Sequence, residues 1–298
     1  MEKIRIGTRA SRLALWQANF VAQKLSENFP VELVKIQTTG DKILDAPLAK
    51  IGGKGLFTKE IENALAAGKI DLAVHSLKDV PSELPAGFEI AAVTQRENPF
   101  DAFVSNKFSS LAEIPSGGVI GTSSLRRAAQ ILNLRPDLKI ENLRGNVDTR
   151  LKKLDAGNFD AVILAAAGLE RLGYGSRIRK ILTEIIPAAG QGALAIEIRA
   201  GDEKIRAAVK VLHDEKTSAA VQIERDFLRK IGGGCQIPVG VFAQVDEKIS
   251  VRAVIASTDG KKILRDSAEN IDGGSFAEKM LAAGGQKILR LDFDLGFN

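Results

Sequence analysis

Short apolar bursts alternate with stretches of helical period along the first two thirds of the chain, the pattern of strands that feed helices. Lys3 to Gly7 reads as a strand. Leu13 to Asn28 reads as a helix with apolar positions at Leu15, Val21 and Leu25, closed by Pro30. Val31 to Thr38 is a second strand, whereas Gly40 to Phe57 is rich in Gly and Lys, lacks a clean period and reads as a mobile loop. Thr58 is placed to cap a helix through Ala67, with Gly68 at its end, and Ile70 to His75 and Glu89 to Thr94 read as buried strands. The style then repeats. Strands at Ala102 to Ser105, Val119 to Thr122, Lys139 to Leu143 and Ala161 to Ala166 interleave with helices from Leu125 and Val147. Both halves are expected to be doubly wound α/β domains.

Beyond Thr217 the pattern changes to a helix from Ser218 to Ile231, then strands Val239 to Val245, Ile249 to Ser257 and Ile263 to Glu269. A last helix is expected from the capping-box spacing at Ser275-Phe276-Ala277-Glu278, ending at Gly284-Gly285. This tail is expected to be a small α+β domain.

Length supports that division, because 298 residues exceed what one hydrophobic core usually serves. The 45% apolar and 27% charged residues are those of an ordinary globular protein. No apolar run approaches the roughly 20 residues that span a bilayer, and Met1 to Arg5 leads straight into a strand, so a cytoplasmic location is expected. One cysteine excludes an internal disulfide, and two histidines leave few soft ligands, so no metal site is expected. The net charge of +5 favours anionic partners. With 5% aromatics and no run of five basic residues, a small anion is expected in preference to nucleic acid.

Three segments carry candidate chemistry. Gly121-Thr122-Ser123-Ser124-Leu125-Arg126-Arg127 places small hydroxyl residues and two arginines where a strand meets a helix N-terminus, whose free amides attract anions. A solvated turn with a serine cap is the competing reading. Leu143 to Arg150 repeats the arrangement with Arg144 and Arg150, and Arg9 and Ser11 follow the first strand in the same way. In open α/β sheets ligands lie beyond the carboxyl ends of strands, so these groups gather at one crevice, and arginine forks suit a ligand with several carboxylates. The second segment, His75-Ser76-Leu77-Lys78-Asp79-Val80-Pro81, puts a cation and an acid after a buried strand, either as a local salt bridge or as functional groups. The third, Gly232-Gly233-Gly234-Cys235-Gln236-Ile237-Pro238, surrounds the lone thiol with glycines that let a large group approach, as covalent attachment requires; a small buried hydrophobe is the alternative.

In order along nearly the whole chain, these segments resemble the porphobilinogen deaminase (hydroxymethylbilane synthase) family. The matching motifs are Arg9-Ala10-Ser11 with Leu13-Ala14-Leu15-Trp16-Gln17, Gly52-Gly53-Lys54-Gly55-Leu56-Phe57, His75 to Pro81, Gly121 to Arg127, Leu143 to Arg150, Gly190-Gln191-Gly192-Ala193 and Gly233 to Pro238. The resemblance implies an α/β fold of two doubly wound, periplasmic-binding-protein-like domains plus a small α+β C-terminal domain. Residues 1–96 with 193–211 would form the first, 97–192 the second and 212–298 the third. It further implies a transferase of porphyrin and haem biosynthesis, a cytoplasmic monomer that polymerises porphobilinogen into the linear tetrapyrrole hydroxymethylbilane. The cofactor would be a dipyrromethane joined to Cys235 through a thioether.

By the same resemblance Asp79 is the catalytic carboxylate, and Ser76, Lys78, Thr122, Ser124, Arg126, Arg127, Arg144 and Arg150 surround acetate and propionate side chains. Arg9 and Ser11 lie near the incoming substrate, with Arg171 and Gln191 as further binding residues. Lys50, Lys54 and Phe57 belong to an expected lid over Lys42 to Phe57. Two residues depart from the family pattern: Arg12 stands where some relatives have proline, and Asp148 adds a negative charge to an arginine-rich turn. The rival readings are a non-catalytic receptor for a small anion and, more remotely, a nucleic-acid binder.

Overall fold

The computed structural model describes residues 3–42, 58–232 and 237–294. The expected lid residues Lys50, Lys54 and Phe57, and the loop with Cys235, lie outside them.

The first sheet opens with β1 (Ile4–Arg9), which leads through α1 (Arg12–Leu25) to its parallel neighbour β2 (Val31–Ile36). A short α2 (Thr39–Lys42) starts where a loop was expected. α3 (Lys59–Ala66) follows Thr58, whose side chain makes no capping hydrogen bond. β3 (Leu72–Ser76) pairs parallel with β1, and β4 (Phe88–Val93) completes this stretch of the chain.

The second sheet takes β5 (Asp101–Val104), β6 (Val119–Gly121), β7 (Lys139–Glu141), β8 (Ala161–Ala165) and β9 (Ile178–Leu182), in the order β7-β6-β8-β5-β9. Its helices are α4 (Leu125–Leu134), α5 (Val147–Asp155) and α6 (Ala166–Arg171). The chain then returns to the first sheet through β10 (Leu194–Arg199), giving the order β2-β1-β3-β10-β4, with α7 (Glu203–Val209) beyond it. Neither α6, β9, β10 nor α7 was resolved by periodicity, because each is short and bounded by polar turns that do not break the pattern cleanly.

The two sheets share a device. Each has one antiparallel strand in the fourth place: β10 runs against β3 and β4, and β5 runs against β8 and β9. Both are the strands by which the chain enters a sheet after crossing from the other. Their first residues therefore lie at the carboxyl edge of the parallel strands, with Asp101 opposite Ala165 and Leu194 opposite Ser76. The crossing segments 94–100 and 183–193 run along that edge, where an open α/β sheet binds its ligand.

Separate apolar cores serve the three units. Ile6, Val21, Leu72 and Ile196 are buried in the first, while Phe103, Ile120 and Ile163 are buried in the second. The C-terminal unit is an antiparallel sheet of β11 (Val239–Val245), β12 (Ile249–Ala256) and β13 (Ile263–Glu269). Against its apolar face pack α8 (Glu215–Ile231) and α9 (Gly273–Met280), with Phe227 and Phe276 buried and 5.7 Å apart between ring centres.

Three boundaries differ from expectation. α8 starts at Glu215 because Asp214 caps it, accepting from the Thr217 amide. α9 is capped by Asp272, whose carboxylate accepts from Ser275 N at 2.9 Å, so Ser275 sits inside the helix that it was expected to start. Gly284, at φ +117, makes a kink there, and α10 (Gln286–Asp294) continues beyond.

The three units meet around a fully buried carboxylate. Glu224 of α8 accepts both Nη atoms of Arg96, each at 2.7 Å, and also Gly190 N at 2.7 Å and Ala243 N at 2.8 Å. One acid thus ties both crossing segments to the C-terminal sheet. Gly190 has φ +71, and a Cβ there would lie 2.9 Å from Leu77 Cγ, so glycine is needed for this approach. Glu224→Gln should lower stability by about 3–5 kcal/mol, because an amide leaves Arg96 uncompensated and sets NH2 against backbone donors. Denaturant unfolding measures this; a loss below about 1 kcal/mol would contradict it.

Candidate active site

A cleft of about 670 Å³ opens between the two larger sheets. The first sheet supplies Arg9 and Ser11 after β1, and Ser76, Lys78 and Asp79 after β3. The second supplies Arg127, Arg144 and Arg150 from the α4 and α5 turns, and Arg171 from α6; Gln191 belongs to the crossing segment. Thr122, Ser124 and Arg126 are not among the lining residues. Ser124 is the N-cap of α4 and accepts from Arg127 N, while Thr122 Oγ1 accepts from Ser124 N at 3.2 Å. Their local role is to shape the turn.

Arg126 and Arg127 are consecutive but do different work. Both are buried on Asp101, with Arg126 Nη1 donating to Oδ2 at 2.8 Å and Arg127 Nη2 to Oδ1 at 2.7 Å. Arg126 also donates to the Ile186 carbonyl at 2.7 Å and packs under β11. There a Cβ on Gly240 would lie 3.1 Å from Arg126 Cδ. It joins the second sheet to the C-terminal unit, whereas Arg127 reaches the cleft wall. Burial alone would raise the Asp101 carboxyl, but the two guanidiniums hold it far below the ordinary carboxylate range.

Gln191 carries that order into the cleft. Its Nε2 donates to Asp101 Oδ1 at 2.9 Å and to the Pro99 carbonyl at 2.7 Å, so its Oε1 is turned to accept from Lys78 Nζ at 3.3 Å. Arg171 donates to Glu97 at 3.0 Å and to the Gly192 carbonyl at 2.7 Å while lying over the Trp16 ring, 5.6 Å from its centre. It is a wall residue already engaged by protein. Ser76 Oγ accepts from the buried Gln17, at 2.8 Å, which fixes the end of β3.

Crowding of like charge tunes the cations. Burial lowers the Lys78 ammonium to about 8, with Arg127 and Arg126 adding to the effect and Asp79 and Asp101 opposing it. Burial likewise lowers Arg150 to about 10, assisted by Arg127 and Arg144 and opposed by Asp79. Such a cleft is poised to gain negative charge from a ligand. Asp79 is exposed at the end of a 3-10 turn (Leu77–Asp79), and the cleft has one other lining acid among the described residues, Asp148. Asp148 is held by Arg12 and by the Tyr174 hydroxyl, at 2.6 Å from the latter.

Asp101 was missed by the sequence reading, although an acid opening the apolar run Asp101-Ala102-Phe103-Val104 is its signal. Gln17 carried a weaker one, a polar residue on the inner face of α1. His75 is buried on Glu197, with Nε2 and Oε2 2.8 Å apart, outside the cleft lining.

Fold and cleft together define an α/β protein of two sheet-and-helix domains and a small C-terminal one, with a cleft rich in cations where the chain crosses between the two larger sheets. The family model described as "Porphobilinogen deaminase, dipyromethane cofactor binding domain" matches residues 4–207, and "Porphobilinogen deaminase, C-terminal domain" matches 218–282. The porphobilinogen deaminase of Thiobacillus denitrificans is 50% identical over 301 residues, covering 97% of this chain and 98% of that one. That of Maridesulfovibrio salexigens is 49% identical over 307 residues, covering 99% of each. The chain belongs to the porphobilinogen deaminase family. It is also similar to a periplasmic substrate-binding protein of an ABC transporter from Coxiella burnetii, at TM-score 0.47 and 16% identity over 71% of this chain and 92% of that one.

A carboxylate placed beside Lys78 favours its charged form, so ligand affinity should fall as pH rises through about 8 and binding should take up a proton near that pH. Calorimetry with a pyrrole dicarboxylate, in buffers of different ionisation heat, measures both. Lys78→Arg, charged throughout, should remove the midpoint; an unchanged midpoint in that variant would assign it elsewhere.

Proposed function

We propose that this chain joins porphobilinogen units into a linear tetrapyrrole in the cleft between its two larger sheets, with Asp79 as catalytic carboxylate and Cys235 holding the primer. Polymerisation of porphobilinogen in tetrapyrrole biosynthesis is the activity of the family, so the chain is a transferase. The observation that carries the residue assignment is charge placement. Asp79 faces a cleft walled by Arg9, Lys78, Arg127, Arg144 and Arg150, while the other lining acid is engaged by Arg12 and Tyr174.

The donor set fits a dipyrromethane, whose acetate and propionate arms are carboxylates matched by guanidinium forks and an ammonium. When bound, that group supplies the pyrrole carbon to which the next unit is joined. Attachment through Cys235 is supported by its being the chain's one cysteine, placed after three glycines. Gly232, the first of the three, ends α8 at φ +74. The reading includes a cytoplasmic monomer.

Arg144, Arg150, Arg127 and Lys78 would hold the peripheral carboxylates of the bound group in the cleft that Asp79 also lines. Loss of ammonia from the protonated aminomethyl arm of porphobilinogen would leave a cation, and joining it to a pyrrole carbon would move the positive charge onto that ring's nitrogen until the carbon's proton is lost to water. The Asp79 carboxylate stabilises that charge at both points. Because the developing charge is positive, electrostatic stabilisation ranks ahead of proton delivery.

Asp79→Asn should lower the first coupling by about 10²–10⁴, with Asp79→Glu retaining more, as rapid-quench measurement on preassembled cofactor would read. Arg144→Leu and Arg150→Leu should each lose a contact of roughly 1.5–3 kcal/mol, hence about tenfold or more in assembly or elongation. Near-normal coupling in the Asn variant would remove Asp79 from the catalytic role.

A further inference from the structure

Arg12 and Asp148 meet across the cleft. Arg12, the first residue of α1, donates to Asp148 Oδ1 and to the Tyr174 hydroxyl at 3.1 Å, and the hydroxyl in turn donates to Asp148. Arg12 belongs to the first sheet's layer; Asp148 and Tyr174 belong to the second's.

This contact ends a seam along α1. At the hinge, Arg171 is pinned to Glu97 and the Gly192 carbonyl and lies over Trp16. Midway, Gly168 of α6 faces Leu13, whose Cδ2 would be 3.6 Å from a Cβ there. At the rim the Arg12 side chain is 59% exposed and Asp148 is 24% exposed. The rim is therefore breakable while the hinge end is buried. An arginine in the first turn of a helix works against the helix dipole, so Asp148 and Tyr174 are what hold it there.

We propose that Arg12, Tyr174 and Asp148 form a rim latch that couples closure of the two domains to carboxylate binding, by screening the acid that Asp148 places in the arginine cleft. With the latch made, the Asp148 charge is matched and the cleft presents its guanidiniums to the ligand. With it broken, Asp148 stands in the cleft as a fixed negative charge that opposes carboxylates. By linkage, a ligand that prefers the screened state also draws the latch shut. Asp148 is thus a positioning residue, acting through the domain arrangement. The ligand half of this rests on the proposed function.

Two readouts separate the halves. Trp16, the chain's one tryptophan, lies on the seam, so its fluorescence reports opening, together with the small-angle scattering radius. Without ligand, Arg12→Leu and Asp148→Asn should both raise the open population, roughly threefold to tenfold for a partly exposed ion pair with a hydroxyl partner. The exchanged pair, Arg12→Asp with Asp148→Arg, should restore closure. With porphobilinogen the signs divide. Arg12→Leu should raise KM severalfold because it leaves Asp148 unscreened, whereas Asp148→Asn should raise it less or lower it. Unchanged fluorescence and scattering in both single variants would overturn the latch. Equal KM increases in both would overturn the screening role. A cleft that binds no carboxylate in any variant, with opening still changed, would instead overturn the proposed function.

Discussion

Asp101 is the constraint on which the cleft depends. A site for a ligand with many carboxylates must hold several cations close together before the ligand arrives, and their repulsion would otherwise scatter them. A buried acid behind the wall answers this. Asp101 accepts from Arg126, Arg127 and Gln191 at 2.7–3.0 Å, leaving Arg127 at the cleft surface and Gln191 aligned to receive Lys78. Glu224 has the equivalent role a layer deeper, where Arg96 and two backbone amides are gathered. A buried ion pair contributes little net stability over an apolar replacement, so its value here is in fixing one arrangement of charge.

Topology puts both acids where they act. Because β5 and β10 run against their neighbours, each crossing enters its new sheet at the carboxyl edge. Gly190 and Gln191 thereby come to the cleft, and Asp101 to the layer just behind its wall. A wholly parallel arrangement would carry the crossings to the opposite edge, away from Arg9, Lys78 and Asp79. One of the crossing segments, through Gly190 to Ala193, is in this way also part of the cleft lining.

The sequence made the outer features of this plan legible. Strand-to-helix turns bearing Arg9, Arg127, Arg144 and Arg150 were visible as cations where a helix dipole prefers acids, and the structure sets all four on one cleft. What it concealed was the division of labour between adjacent residues. Arg126 and Arg127 read alike, yet a helix turns about 100° per residue, which sends one side chain toward Ile186 and the other toward the cleft. The charge of Asp148 looked like an intruder among arginines; its partner, Arg12, is 136 residues away. β10 was hidden for a related reason, since its place between β3 and β4 depends on a return that no local period records.

In the proposed function, this cleft assembles porphobilinogen units on the protein itself. Intact-mass spectrometry of the chain, sampled as porphobilinogen is added, tests it most directly. The resting mass should exceed that of the sequence by one dipyrromethane, and a ladder of discrete additions should follow, each equal to porphobilinogen less ammonia. Cys235→Ser, folded but carrying no adduct, should show neither. A wild-type chain that stays at its bare sequence mass throughout, or a Cys235→Ser chain that carries the adduct and climbs the same ladder, would contradict it.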